Sequence, residues 1–142
     1  MQIREITLDD AAEAAALSGE LGYPASAEAI AQRIQTVVLR PDRAVYVAHF
    51  NGKLLGWIDV SVVDHLQSGA YAEIGGLVVA SGHRSLGIGK KLVDRAEAWA
   101  TERGFPKMLV RSQIAREAAH RFYLREGYER TKTSAVFTKT LR

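Results

Sequence analysis

The sequence predicts a three-layer domain of mixed α/β (α+β) class, and three observations carry that expectation. The front half holds β-rich runs joined by Asn51-Gly52, a strong short-range hairpin signal. The back half alternates runs of strand and helix periodicity. The whole order reads β-α-α-β-β-β-α-β-α-β-β, which argues against a doubly wound parallel sheet. No internal repeat or low-complexity linker interrupts it, so residues 1–142 are expected to form one domain.

Taken in order, residues 2–6 read as a short strand. Thr7 offers an N-cap, with Asp10 three residues on, for an Ala-rich helix that stops near Gly22. Ser26 caps a second helix, with Ile30, Ile34 and Val37-Val38 at helical spacing and Pro41 behind it. Residues 45–50 and 53–63 are the two strands of the Asn51-Gly52 hairpin, and residues 70–80 are a third. A glycine-rich turn at 82–89 opens a long helix whose Ile88, Leu92, Ala96 and Trp99 recur every three to four residues, with Gly104 as its stop. Residues 107–112 read as a strand, 116–125 as a helix carrying Ala119, Phe122 and Tyr123, and 128–132 with 136–141 as a closing hairpin.

A chain of this length typically buries about 68–70% of its unfolded surface, so it can build a core unaided. Its composition, 47% hydrophobic and 25% charged, is that of an ordinary globular protein. It has no cysteine, which excludes disulfides, thiolate metal sites and a cysteine nucleophile. His49, His65, His83 and His120 show no metal-ligand spacing, so no metal is expected. No apolar run approaches the ~18 residues of a membrane span and no signal peptide opens the chain, so a cytoplasmic location is expected. Charge is uneven: residues 1–82 sum to −5 and residues 83–142 to +8. That pattern suits a polyanion near the C-terminal half and a cationic ligand near the front, or simply a solvated basic face.

The most informative segment is Arg84-Ser85-Leu86-Gly87-Ile88-Gly89-Lys90-Lys91. Glycines between a strand and a helix let backbone amides converge on an anion, and the helix N-terminus adds partial positive charge. A phosphate or pyrophosphate is the natural guest; the plainer reading is a glycine-bearing helix entry. It is not a P-loop, because Ile88 follows Gly87 where lysine is required. Nor is it a dinucleotide fingerprint, because Leu92 stands at the third glycine position and the turn comes late in the chain.

Arg84-x-x-Gly87-x-Gly89, following the strand Ala72-Glu73-Ile74-Gly75-Gly76-Leu77-Val78-Val79, resembles the acetyl-CoA signature of the GNAT superfamily of N-acetyltransferases. The stretch from Ala119 to Tyr128, with Phe122-Tyr123 and Gly127-Tyr128, is similar to that superfamily's second block and in particular to bacterial aminoalkylphosphonate N-acetyltransferases. The resemblance covers essentially the whole chain. It implies a mixed, mainly antiparallel sheet of about seven strands with helices on both faces. It also implies acetyl-CoA as co-substrate, its pyrophosphate on Arg84, Ser85, Leu86, Gly87, Ile88, Gly89 and Lys90. Pantetheine would run along the backbone of Leu77, Val78 and Val79, where an amide polarises the thioester carbonyl.

By the same resemblance Tyr123 is the general acid that protonates the departing thiolate; read by itself, it is an aromatic on a helix face. Glu73 stands where several relatives carry a catalytic base, acting directly or through water. Its apolar strand neighbours favour burial, which raises a carboxyl pKa; the alternative is an exposed strand glutamate. Gly75-Gly76 marks a bulge or a close backbone approach. Arg116 departs from the family's usual asparagine, so it is expected to reach a CoA phosphate instead of the pantetheine arm.

The implied reaction is acetyl transfer to a primary amine of a small molecule by direct attack in a ternary complex, with no acetyl-cysteine intermediate. A protein lysine or N-terminal amine as acceptor, or a non-catalytic CoA sensor, stands as the alternative. Tyr23, Asp59, Asp64 and Glu73 suit a cationic acceptor, and His65 lies near the same end. No nucleic-acid motif and no membrane segment is present, so neither partner is expected. Relatives often dimerise, sometimes through their C-terminal strands, which makes 136–141 a candidate interface of a homodimer.

Overall fold

Five strands form one sheet in the order β1-β2-β3-β4-β5. They are β1 (Gln2–Glu5), β2 (Arg43–Phe50), β3 (Lys53–His65), β4 (Gly69–Val79) and β5 (Met108–Val110). Among the described residues four α-helices form: α1 (Ala11–Leu21), α2 (Ala27–Val37), α3 (Ile88–Glu102) and α4 (Glu117–Arg125). The computed structural model describes residues 1–84 and 86–142, in two units, Met1–Val110 and Arg111–Arg142.

In the first unit β1 to β4 form an antiparallel meander, and β5 joins parallel to β4. The β2–β3 hairpin closes on Asn51 and Gly52, both at positive φ (50° and 74°), as the type I′ turn demands of its two central residues. Val47, Trp57 and Val78 face one another across β2, β3 and β4. On that face they meet Ala14 and Leu17 of α1 and Ile34 of α2. Tyr46 and Ile58, one residue out of phase, belong to the opposite face, where Arg95 of α3 lies 4.5 Å over the Tyr46 ring. Leu92, Val93, Ala96 and Trp99 of α3 are at most 2% exposed, so the spacing that predicted this helix also supplies its buried stripe. Burial of a side chain the size of Leu92 or Val93 contributes about 1.5–3 kcal/mol.

A 3₁₀ turn, Leu8–Asp10, precedes α1, so the helix starts later than its Thr7 cap suggested. Asp10 is buried yet charged, and its partners explain why. Arg4 grips both carboxylate oxygens (2.8 and 2.9 Å), and the Thr7 amide donates at 2.8 Å. These bonds, Arg4's above all, hold the Asp10 carboxyl below the usual carboxylate range. The stability it contributes is therefore complete above that range and is lost as pH falls through its lowered value.

The second unit contains α4 and no strand. The expected hairpin of 128–132 and 136–141 is absent, and the sheet has five strands instead of about seven. The β-like alternation of these residues is real, but a strand forms only where a neighbour satisfies its backbone, and this unit offers none. Val136, Phe137 and Leu141 are consequently 82–93% exposed. No helix among the described residues is long and apolar enough to cross a membrane.

Candidate active site

The sheet opens beside β4. Parallel pairing with β5 runs only from Ala72–Met108 to Ile74–Val110, while β4 continues to Val79. Past Ile74 its outer edge has no strand partner among the described residues; Val78 turns its carbonyl toward β3, so the backbone groups on that outer edge are those of Leu77 and Val79. The change begins at a β-bulge: Asp59 pairs with Gly76 and Val60 with Ile74, leaving Gly75 as the extra residue. A Cβ on Gly76 would stand 3.1 Å from the Trp57 ring, so the second glycine admits that close approach. The bulge expected of Gly75-Gly76 is therefore present, and the approach at Gly76 is that of a side chain, Trp57.

The chain then turns through His83, whose amide donates to the Ala80 carbonyl (3.1 Å), and Arg84 Nε donates back to the Val79 carbonyl (3.4 Å). Ser85, one of the expected phosphate contacts, lies outside the described residues. Gly87 is the N-cap of α3 at φ 75°, a left-handed conformation that suits glycine, and it has no side chain with which to cap the helix. The first α3 amide bond runs from Lys91 to the Gly87 carbonyl. The amides before it belong to the helix's orphan donors. No acidic residue occupies the first turn; Lys90 and Lys91 do. Cations at a helix N-terminus oppose the macrodipole, an arrangement that makes sense where an anion is to be received. Lys90 also meets Asp94 at 3.2 Å. Leu77, Val78, Val79, Arg84, Leu86, Gly87, Ile88, Gly89 and Lys90 thus follow one another along an open strand edge, a turn and an uncapped helix start.

Glu73 lies on β4, half-buried, opposite Ser61 of β3 and Leu109 of β5. The register sets it in line with Ser61 and, beyond, Arg43 of β2. Asp59 shares this face, but Arg43 binds both its oxygens (3.0 and 2.7 Å), so its charge is matched within the protein. Asp64, an odd number of residues from Asp59, belongs to the opposite face and does not join Glu73. Tyr23 is 62% exposed in the α1–α2 connection. His65, at the end of the β3–β4 hairpin, rests against Tyr71 with ring centroids 6.3 Å apart. Sequence reading missed Arg43, Trp57 and Ser61; the period-two spacing of Trp57, Asp59 and Ser61 was the available signal.

In the second unit Tyr123 sits on α4 between Phe122 (5.2 Å) and Tyr128 (5.7 Å), each pair edge-to-face. The Tyr128 amide donates to the Tyr123 carbonyl at 3.0 Å, so Gly127-Tyr128 folds back on the helix end. Burial pushes the Tyr123 phenol above its ordinary pKa, with Arg116 pulling weakly the other way. The phenol is therefore fully protonated at neutral pH, as a proton donor must be. Arg116 is the exposed N-cap residue of α4, one position before the helix that it was expected to begin.

Residues 8–128 match the acetyltransferase (GNAT) family. The chain is 35% identical over 126 residues to the aminoalkylphosphonate N-acetyltransferase of Salmonella typhimurium (strain LT2), covering 88% of this chain and 78% of that one. It is 28% identical over 115 residues to aminoglycoside N(6′)-acetyltransferase type 1 of Klebsiella aerogenes, covering 79% and 76%. Among solved structures, the aminoglycoside 6′-N-acetyltransferase of Acinetobacter haemolyticus superposes over 100% of both chains with TM-score 0.86 at 16% identity. The aminoglycoside acetyltransferase AAC(6′)-Iy, bound to a CoA bisubstrate analogue, superposes over 99% of this chain and 98% of that one with TM-score 0.85 at 19% identity.

Proposed function

This chain belongs to the acetyltransferase (GNAT) family, and from that premise we propose that it acetylates a primary amine of a small molecule by direct attack in a ternary complex. It is an acetyl-CoA-dependent N-acyltransferase. The family match runs through both units, which we read as parts of one N-acetyltransferase domain, working in the cytoplasm.

Acetyl-CoA supplies the activated acetyl thioester. The open edge of β4 takes the pantetheine arm as an added strand, and an amide in Leu77–Val79 donates to the thioester carbonyl as charge develops there. The turn and first α3 amides, with Arg84, Lys90 and Lys91, receive the pyrophosphate, and Arg116 reaches a CoA phosphate. Glu73 takes a proton from the acceptor ammonium, directly or through water, freeing the lone pair. The amine nitrogen bonds to the carbonyl carbon and releases its second proton to solvent, and the C–S bond breaks with its electron pair left on sulfur. Tyr123 gives the thiolate its proton and regains one from solvent.

The observation that carries this reading is the vacant β4 edge running into an uncapped, lysine-bearing helix start. A small amine is favoured as acceptor because the curated relatives are named for aminoalkylphosphonates and aminoglycosides. The test is CoA thiol release from acetyl-CoA across 2-aminoethylphosphonate, an aminoglycoside, a polyamine, free amino acids and lysine-bearing peptides. A chain without cysteine adds no thiol background. Release dependent on one of the small amines is expected. Release with peptides alone would transfer the reading to a protein acceptor, and CoA binding without release would make the chain a sensor.

A further inference from the structure

Glu20 is the penultimate residue of α1, and its carboxylate reaches out of that helix to the turn that precedes α3. Glu20 Oε1 accepts a hydrogen bond from the Ser81 amide at 3.0 Å and another from the Ser81 hydroxyl. Ala80, which leads into the turn, donates to the Leu55 carbonyl of β3 at 2.8 Å, and the other bonds described beyond it are local. His83 bonds to Ala80 and to Ser81, Leu86 to His83, and Arg84 to Val79. Packing does not hold the turn either. Ser81, Gly82, Arg84 and Leu86 are exposed, and Gly82, at φ 84°, has nothing within 4 Å of where a Cβ would stand. An exposed, glycine-bearing turn samples many shapes unless something fastens it. Among the described residues, Glu20 is what ties the part of the turn beyond Ala80 to another element.

We propose that Glu20 is a positioning residue for acetyl-CoA, fastening Ser81 so that the turn and the start of α3 keep the arrangement that receives the cofactor's phosphates. The inference rests on the phosphate site proposed above. The two bonds from Ser81, aided by the charge of Arg84, hold the Glu20 carboxyl below its ordinary range, so it is an acceptor throughout the neutral region. Its charge alone would work the other way, because a carboxylate near an anion site repels the anion. Tether and charge therefore predict opposite signs for the same substitution.

The experiment is titration of the full chain with CoA, together with acetyl-CoA kinetics, for wild type, Glu20→Ala and Glu20→Gln. Glu20→Ala removes both bonds and is expected to weaken CoA about tenfold, raising KM for acetyl-CoA by a similar factor. Its kcat at saturation should stay within about twofold and its cofactor-free Tm within about 1 °C, since the contact lies at the surface. In Glu20→Gln the amide oxygen still accepts from Ser81 without the charge, so CoA should bind as in wild type or better. Glu20→Ala binding CoA as tightly as wild type would overturn the inference, as would Glu20→Gln falling as far as Glu20→Ala. Wild-type chain that takes up no CoA would overturn the proposed phosphate site, and the inference with it.

Discussion

Tyr123→Phe is expected to lower kcat by roughly 10²–10⁴ while leaving acetyl-CoA affinity nearly unchanged, because the variant loses a proton donor and keeps the ring. The substituted ring would still meet Phe122 and Tyr128, whose contacts with Tyr123 involve ring faces and edges. The pH profile separates the roles further. Burial raises the Tyr123 phenol above its ordinary value near 10, so its ionisation should not depress the rate anywhere between neutrality and that value. A second variant reads Glu73: Glu73→Gln removes the proton acceptor and should lower kcat. Unchanged turnover in Tyr123→Phe would reduce the residue to a packing aromatic, and unchanged turnover in Glu73→Gln would pass the base role to solvent.

Gly56→Ala is expected to cost about 2–4 kcal/mol of stability and to lower Tm by roughly 10 °C. Gly56 lies in β3 opposite Val79, and a Cβ there would stand 2.6 Å from the Val78 carbonyl oxygen and 3.1 Å from Leu92 Cδ1. The nearer obstacle is backbone, so relief requires β4 to move away from β3. The displaced residues are the ones proposed to hold pantetheine, and acetyl-CoA affinity should fall along with stability. Gly75→Ala is the control, since its Cβ would meet only Asp59 at an ordinary 3.7 Å. Equal thermal stability of the two variants would show that the β3–β4 spacing relaxes freely and would remove Gly56 from the account.

Much of the fold was legible because it is written in short-range spacing. Asn51-Gly52 specifies its own turn, and Ile88, Leu92, Ala96 and Trp99 specify one helix face before any partner is known. The C-terminal strands were not legible, because residues 136–141 carry β-like alternation but strandhood depends on a neighbour. The glycine-bearing turn into α3 was readable for the same reason as the hairpin: its glycines and lysines stand close together in sequence. The pairing of Arg43 with Asp59 was not, because it depends on the register of β2 against β3. The Glu20–Ser81 contact joins residues 61 apart, and no local pattern announces it. Asp64 was avoidable: its odd separation from Asp59 on one strand already set the two on opposite faces.

The open edge of β4 also bears on how the purified protein will behave. The two ends of the sheet are protected, since β1 is four residues with Arg4 and Glu5 and β5 is only three. The stretch Leu77-Val78-Val79 is apolar, extended and without a strand on its outer side among the described residues. Such an edge is a template for a second chain, so the feature proposed to admit pantetheine is also the molecule's weak point for aggregation. A cofactor lying there as a strand would close it. Light scattering on warming should therefore begin later with saturating CoA than without it, beyond the delay that the ligand's effect on Tm explains; equal onset at matched distance from Tm would place the aggregating surface elsewhere. Keeping CoA in the buffer then becomes a storage condition, to be reversed before thiol release is measured.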